Sequence, residues 1–392
     1  MALQLEQITA QVVELSQGLT ADQRRRWLQE ARRLLRELDS ATLNAKLARR
    51  NTDRVPWLVA QPLSPLHEHA PPPACPPEFS VIAADGSNIP PDRHSPVRYY
   101  VINTGTAVLT YGHAPSAHLQ AQAVLYHHDE ALYFDPVTRL QPVEGNRLSA
   151  RMAIAELHAL RAAARSVPAP AVALVDGSLI LWSLQSEPAE VRTRLLREYL
   201  TALDWFRRQR IPVAGYISDP GSFELANALR VYLCPESPAE CRRCWETSAG
   251  ELRLCYELHH FRDPALLLGI LGEDERTCLF ASSSHILNDY EAHTVRFFYL
   301  RASDEIVRVE IPMWVAEEPA LLGLLHAVIC DQCQRSGWQP PYPPALHEAH
   351  EQAVISSGDR ELVEWLIEEE LSRRGVTFLK SAKARHKRSR GV

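Results

Sequence analysis

Two short apolar runs in this chain end in the same three residues. VIAADGS closes on Asp85, Gly86 and Ser87, and ALVDGS closes on Asp176, Gly177 and Ser178. A carboxylate delivered twice to the end of a buried strand can hold a divalent cation, because hard ions such as Mg2+ or Mn2+ take oxygen ligands. Two such ions about 3.5–4 Å apart generate a hydroxide at neutral pH and neutralise the attacking and leaving oxygens of a phosphodiester. The glycine after each aspartate lets the backbone approach closely, and the serine can orient a ligand or a water. Asp-Gly is also a common turn. Taken alone, each motif therefore reads first as the turn that ends a strand.

The elements that must position these carboxylates follow from periodicity. FSVIAADG is a strand ending at Asp85, VRYYVINTGTAVLTYG and AQAVLYHHDEALYF follow as strands, and residues 146–166 form a helix. AVALVDGSLILW is a second buried strand. EVRTRLLREYLTALDWFRRQR is a long helix, PVAGYIS a further strand, and VRFFYLRAS pairs with IVRVEIPMWV as a hairpin. Strands first, then strands alternating with helices, predict an α/β fold: a mixed sheet flanked by helices. The order strand–Asp, further strands, helix with Glu, strand–Asp is that of a ribonuclease H-like sheet, which gathers carboxylates at one edge. Ahead of it, residues 1–58 read as an N-terminal helical extension and the proline-rich residues 59–77 as a linker. Residues 78–379 form the main domain, and 380–392 a basic tail.

The chain has 392 residues, of which 46% are hydrophobic and 23% charged, enough for a large buried core. No apolar run reaches the roughly 18 residues needed to cross a bilayer. The N-terminus MALQLEQITAQVVEL carries no basic residue, unlike a signal peptide. A cytoplasmic protein is expected. The net charge of −6 is uneven: the last 22 residues hold eight Lys or Arg and no acid, including Lys383, Arg385 and Lys387. Such a tail can hold phosphate backbone or simply be a solvated end. Cys234, Cys241, Cys244 and Cys255 are spaced as a zinc or iron–sulfur site could be, and Cys330 and Cys333 form a second C-x-x-C. Ordinary reduced thiols compete with that reading.

The segments AADGSNIPPDRHSPVRYYVINTG, ALVDGSLILW, GYISDPGSFELANALR, RFFYLRASDEIVRVEIPMWVAE and YPPALHEAHEQAVI together resemble the NurA family of nucleases over about 300 residues. The resemblance implies a ribonuclease H-like, PIWI-like fold. It also implies a manganese- or magnesium-dependent 5′-to-3′ DNA nuclease that holds two ions, forms a homodimer and acts in DNA end resection with the hexameric ATPase HerA. Asp85 and Asp176 match the family's metal-binding aspartates. Glu156 matches its helical glutamate, with Glu144 as the alternative, and Tyr342 and His350 match its tyrosine and histidine, with His347 as the rival. Asp219 stands where the family often has a basic residue, so no catalytic role is carried over to it. Arg93, Arg98 and Arg296 are candidates to grip phosphates, as are Arg147 and Arg151 and the tail. A catalytically silent nucleic-acid-binding or interaction subunit on the same fold is the alternative. A redox or iron–sulfur regulatory protein built on the cysteines is a third reading.

Overall fold

The computed structural model describes residues 21–241 and 254–376, apart from positions 54 and 94, together with residues 5, 8, 9 and 11–13. Helix α1 (Ala21–Glu37) spaces its apolar residues at helical intervals and buries Ala31 and Leu35. Helix α2 (Ser40–Ala48) starts on Asp39, whose carboxylate accepts hydrogen bonds from the amides of Ala41 and Thr42. The two helices share one apolar core with helix α5 (Glu224–Leu233) and with Phe280, Phe297 and Tyr299 of the sheet. Residues 63–77 hold no helix or strand, only turns, bends and one bridge from Ala70 to Arg276. However, Ala60–Pro62 forms strand β1, which pairs with β9 (Phe280–Ser282) and carries this segment into the sheet.

Among the described residues the main sheet has nine strands, in the order β1-β9-β10-β11-β8-β7-β2-β3-β4, and β5 (Tyr133–Asp135) pairs with β6 (Leu140–Pro142) apart from it. Strands β2 (Phe79–Ile89), β3 (Tyr100–Tyr111) and β4 (Ser116–Tyr126) make an antiparallel meander. Strand β7 (Ala171–Asp176) then adds parallel to β2, and β8 (Val213–Ile217) adds parallel to β7. Strands β10 (Val295–Ala302) and β11 (Glu305–Pro312) form the expected hairpin, and β11 joins β8 antiparallel. Parallel strands are covered on both faces, which is why the start of β2 and of β7 reads as continuous Val, Ile, Leu and Ala rather than alternating.

Four helices complete the layers that bear on the site. Helix α3 (Asn146–Ala164) lies on β2 and β3 and buries Ile154, Leu157 and Leu160. Helix α4 (Ala189–Gln209) packs against α3. On β2 and β3 also lies α7 (Pro344–Ala353), which follows α6 (Pro319–Arg335). Helix α8 (Ser357–Arg373) sets Val363 and Ile367 against Ile89, Tyr99 and Val101. The strand predicted through AQAVLYHHDEALYF stops at Tyr126; Asp129–Leu132 turns helical instead, where two acidic residues open a short helix.

Candidate metal centre at the sheet edge

Parallel pairing brings the two aspartates together. Ala84 is in register with Val175, so Asp85 and Asp176 occupy the next step on neighbouring strands. His350 on α7 completes the group: among the described residues, Asp85, Asp176 and His350 form one cluster whose ligand atoms lie within 4.8 Å of one another. Asp85 is held at both oxygens. Its Oδ1 accepts from the amide of Gly86 at 2.7 Å, and its Oδ2 lies 2.7 Å from His350 Nδ1.

Glu156 approaches from below. It projects from α3 against Gly86, where an added Cβ would lie 2.5 Å from Glu156 Oε1. Only a residue without a side chain leaves that carboxylate room. Glu156 is 9% exposed, and its pKa is pushed up to about 8, first by burial and then by Asp85 and Asp176. Among the described residues no cation pulls it back. Asp176 is raised as well, chiefly by desolvation. The Tyr342 hydroxyl opposes this by donating to the Asp176 carboxylate, Asp85 raises it further, and His350 lowers it. Two carboxylates and an imidazole converge, and the buried Glu156 stands behind them, outside that cluster; oxygen donors of this kind suit a hard divalent cation. The residues present fit such an ion.

Tyr342 is itself fixed. Its ring meets that of the fully buried Tyr216 edge-on at 5.6 Å, and Tyr216 stands on β8 opposite Asp176. The Tyr216 hydroxyl lies 3.6 Å from the Sγ of Cys333, a buried thiol whose pKa is pushed up to about 12 by desolvation. Cys330 is buried likewise, and both are free. In the other cysteine group, Cys234, Cys241 and Cys255 do not converge as a three-thiol cluster; Cys244 lies outside the described residues.

The alternatives named from the sequence go elsewhere. Glu144 precedes α3 and bonds Arg98 at 2.9 Å, and the His347 ring lies 4.1 Å from that of Trp338. Arg147 and Arg151 pair with Glu187 and Glu198 at 2.7 and 3.0 Å. Arg296 stands on β10, three strands from β7, half-buried, with its guanidinium toward Met313 Sδ at 3.7 Å. Arg93 follows β2 in an exposed loop. Lys383, Arg385 and Lys387 lie outside the described residues. Asp219 accepts at 3.4 Å from Arg262, and its amide donates to Glu305.

Periodicity and motif gave no warning of the charges beneath the second Asp-Gly-Ser. Ser178 donates to Glu310 Oε2 at 2.7 Å and accepts from the Ile180 amide and the Trp182 indole, both at 3.0 Å. Leu179 N–H donates to the same Glu310 oxygen at 2.9 Å. Arg308 joins Glu310 Oε1 at 2.9 Å to Glu224 Oε1 at 2.7 Å, with its guanidinium 3.7 Å over the Phe297 ring. All three charges are buried. A Glu two residues from an Arg on one strand puts both side chains on the same face, the one signal that pointed here.

The fold is thus a mixed α/β sheet flanked by helices, and neighbouring parallel strands bring a carboxylate–histidine cluster to their ends. The chain belongs to the NurA family of nucleases: the family's NurA domain matches residues 79–355, which contain Asp85, Glu156, Asp176, Tyr342 and His350. The crystal structure of the NurA nuclease from Sulfolobus solfataricus is similar over 95% of this chain and 98% of that one, at 12% identity and a TM-score of 0.49. LC9-RNase H1, a type 1 RNase H with the type 2 active-site motif, is similar over 41% of this chain and 72% of its own, at 12% identity and a TM-score of 0.23. A comparison with curated proteins finds no match. Among the described residues no helix is long and apolar enough to cross a membrane.

Proposed function

We propose that this nuclease hydrolyses DNA phosphodiesters with Mn2+ or Mg2+ held by Asp85, Asp176, Glu156 and His350. The observation that carries the reading is the convergence of Asp85, Asp176 and His350 within 4.8 Å, with Glu156 buried and uncompensated behind them. A divalent ion supplies Lewis-acid charge at the phosphate and a water acidic enough to act near neutral pH. Asp85 offers a fixed oxygen, because the Gly86 amide and His350 leave its carboxylate no freedom to rotate. Tyr342 donates to Asp176 from the other side, and its half-buried ring packs edge-on against Tyr216 on that flank. Glu156 adds the third negative charge that makes the pocket select a dication over a monovalent ion.

Membership of the NurA family supports the finer parts of the reading. These are 5′-to-3′ exonuclease action in DNA end resection and repair, partnership with a HerA-type ATPase, a homodimer, two ions and a cytoplasmic site of action. The division into an N-terminal helical region, a linker, a nuclease domain and a basic tail is proposed with them. The test is cleavage of end-labelled single- and double-stranded linear DNA by the full chain with Mn2+, Mg2+ or EDTA, beside Asp85→Ala and Asp176→Ala. Metal-dependent degradation lost in both variants is expected, with a product ladder that starts from the 5′ end. Unchanged cleavage in both variants would overturn the assignment. Binding of DNA without cleavage, with or without the ATPase, would favour the catalytically silent subunit.

A further inference from the structure

The serine of the first Asp-Gly-Ser does not face the cluster. Ser87 Oγ donates to the carbonyl of Ala353, the last residue of α7. Asn103 on β3 donates from Nδ2 to the same carbonyl at 2.8 Å and to that of Gln352 at 3.1 Å. The last carbonyls of a helix have no partner within it, and here two side chains of the sheet supply the donors. The helix also lies unusually close to the strand. A Cβ on Gly105 would fall 2.1 Å from the Ala349 carbonyl oxygen and 2.5 Å from the Ala353 amide. All these contacts fall within one turn of His350, whose own carbonyl accepts from Val354 at 3.0 Å. The other end of α7 is held separately, by Gln332 Oε1 accepting from the Ala345 amide at 3.3 Å.

We propose that Ser87 and Asn103 are positioning residues for the nuclease reaction. Together they clamp the C-terminal turn of α7 onto β2 and β3 and set the rotation that brings His350 Nδ1 to Asp85. The same tripeptide thus supplies the Asp85 ligand and the anchor for the histidine beside it. The inference rests on the assignment of His350 to the metal site. Ser87→Ala and Asn103→Ala remove the anchor without touching the cluster, whereas Ser87→Thr keeps the hydroxyl.

The full chain is the material for the test, with two readouts: kcat and KM on linear DNA, and Mn2+ affinity from the electron paramagnetic resonance signal of free Mn2+. The Ser87→Ala/Asn103→Ala double variant is expected to lose kcat and Mn2+ affinity by roughly 10–100-fold, the range for groups that orient metal ligands. KM for DNA stays put, and Ser87→Thr behaves as the parent. Added to His350→Ala, the double variant produces no further loss in Mn2+ affinity, because the anchor acts only through that side chain. Losses that multiply in the combined variant would mark Ser87 and Asn103 as general scaffold and overturn the proposal. Parental kcat and Mn2+ affinity in the double variant, with both lost in His350→Ala, would overturn the clamp alone. If His350→Ala itself keeps both, the metal assignment of His350 falls and the clamp falls with it.

Discussion

His350 Nδ1 and Asp85 Oδ2 meet at 2.7 Å across 265 positions of chain. The imidazole comes from the second-last long helix and the carboxylate from the second strand, and neither element alone could orient the other. The pair predicts unequal roles. Asp85→Asn removes a charge from the centre of the cluster and is expected to abolish cleavage. His350→Ala leaves the three carboxylates in place and is expected to leave a residual rate that rises with added Mn2+. Rates across a Mn2+ titration check this, and equal behaviour of the two variants would contradict it.

Glu156 predicts a stability that depends on pH in the metal-free protein. Its pKa rises from the ordinary 4.5 to about 8 on folding. Between these values the folded chain keeps a proton that the unfolded chain has released, so stability falls as pH rises through this window, by on the order of a few kcal/mol. Glu156→Gln cannot ionise. In EDTA at pH 8.5 it is expected to melt above the parent, and to match it at pH 4.5, while losing cleavage. Mn2+ should stabilise the parent most at high pH, where no proton competes for the carboxylates. Melting curves at both pH values with and without Mn2+ decide the point.

Gly86 and Gly105 predict different kinds of damage. A methyl at Gly105 meets backbone of α7, which can move only as a unit. Gly105→Ala is expected to destabilise by about 1–3 kcal/mol, as overpacking does, visible as a lower denaturant midpoint. At Gly86 the methyl meets side-chain atoms rather than backbone, Glu156 Oε1 at 2.5 Å and Met152 Cγ at 2.9 Å, so the damage falls on the placement of that carboxylate. Gly86→Ala should therefore reduce Mn2+ affinity with little change in the denaturant midpoint.

Arg308 predicts a large effect well away from the reacting atoms. It neutralises Glu224 and Glu310 in a buried site, and Glu310 in turn holds the loop after Asp176. Arg308→Met strands two carboxylates and is expected to destabilise by about 3–5 kcal/mol. High salt should not reproduce the effect, because buried pairs are screened little. Denaturant midpoints of the parent at low and high salt, beside the variant, provide the comparison.

Much of this was legible in the residues. Continuous apolar runs marked β2 and β7 as buried strands, and the strand–Asp order marked the edge where their carboxylates meet. Helical spacing placed Glu156 on α3, and the motif around Tyr342 and His350 named both side chains. The choice between Glu156 and Glu144, and between His350 and His347, had no local signature. Each pair sits on or beside the same helix, and only packing decides which member faces the sheet. Where Arg296 stands relative to the cluster was likewise illegible, because strand order, not sequence distance, sets how far β10 stands from β7. The Glu310–Ser178 contact and the Asn103–Gln352 hold on α7 join residues 132 and 249 positions apart. The sequence alone determined which residue types could bind a dication and on which elements they ride. Their convergence was decided by the tertiary structure, because a hydrogen bond is specified by distance and angle, and no periodicity along the chain encodes those between distant segments.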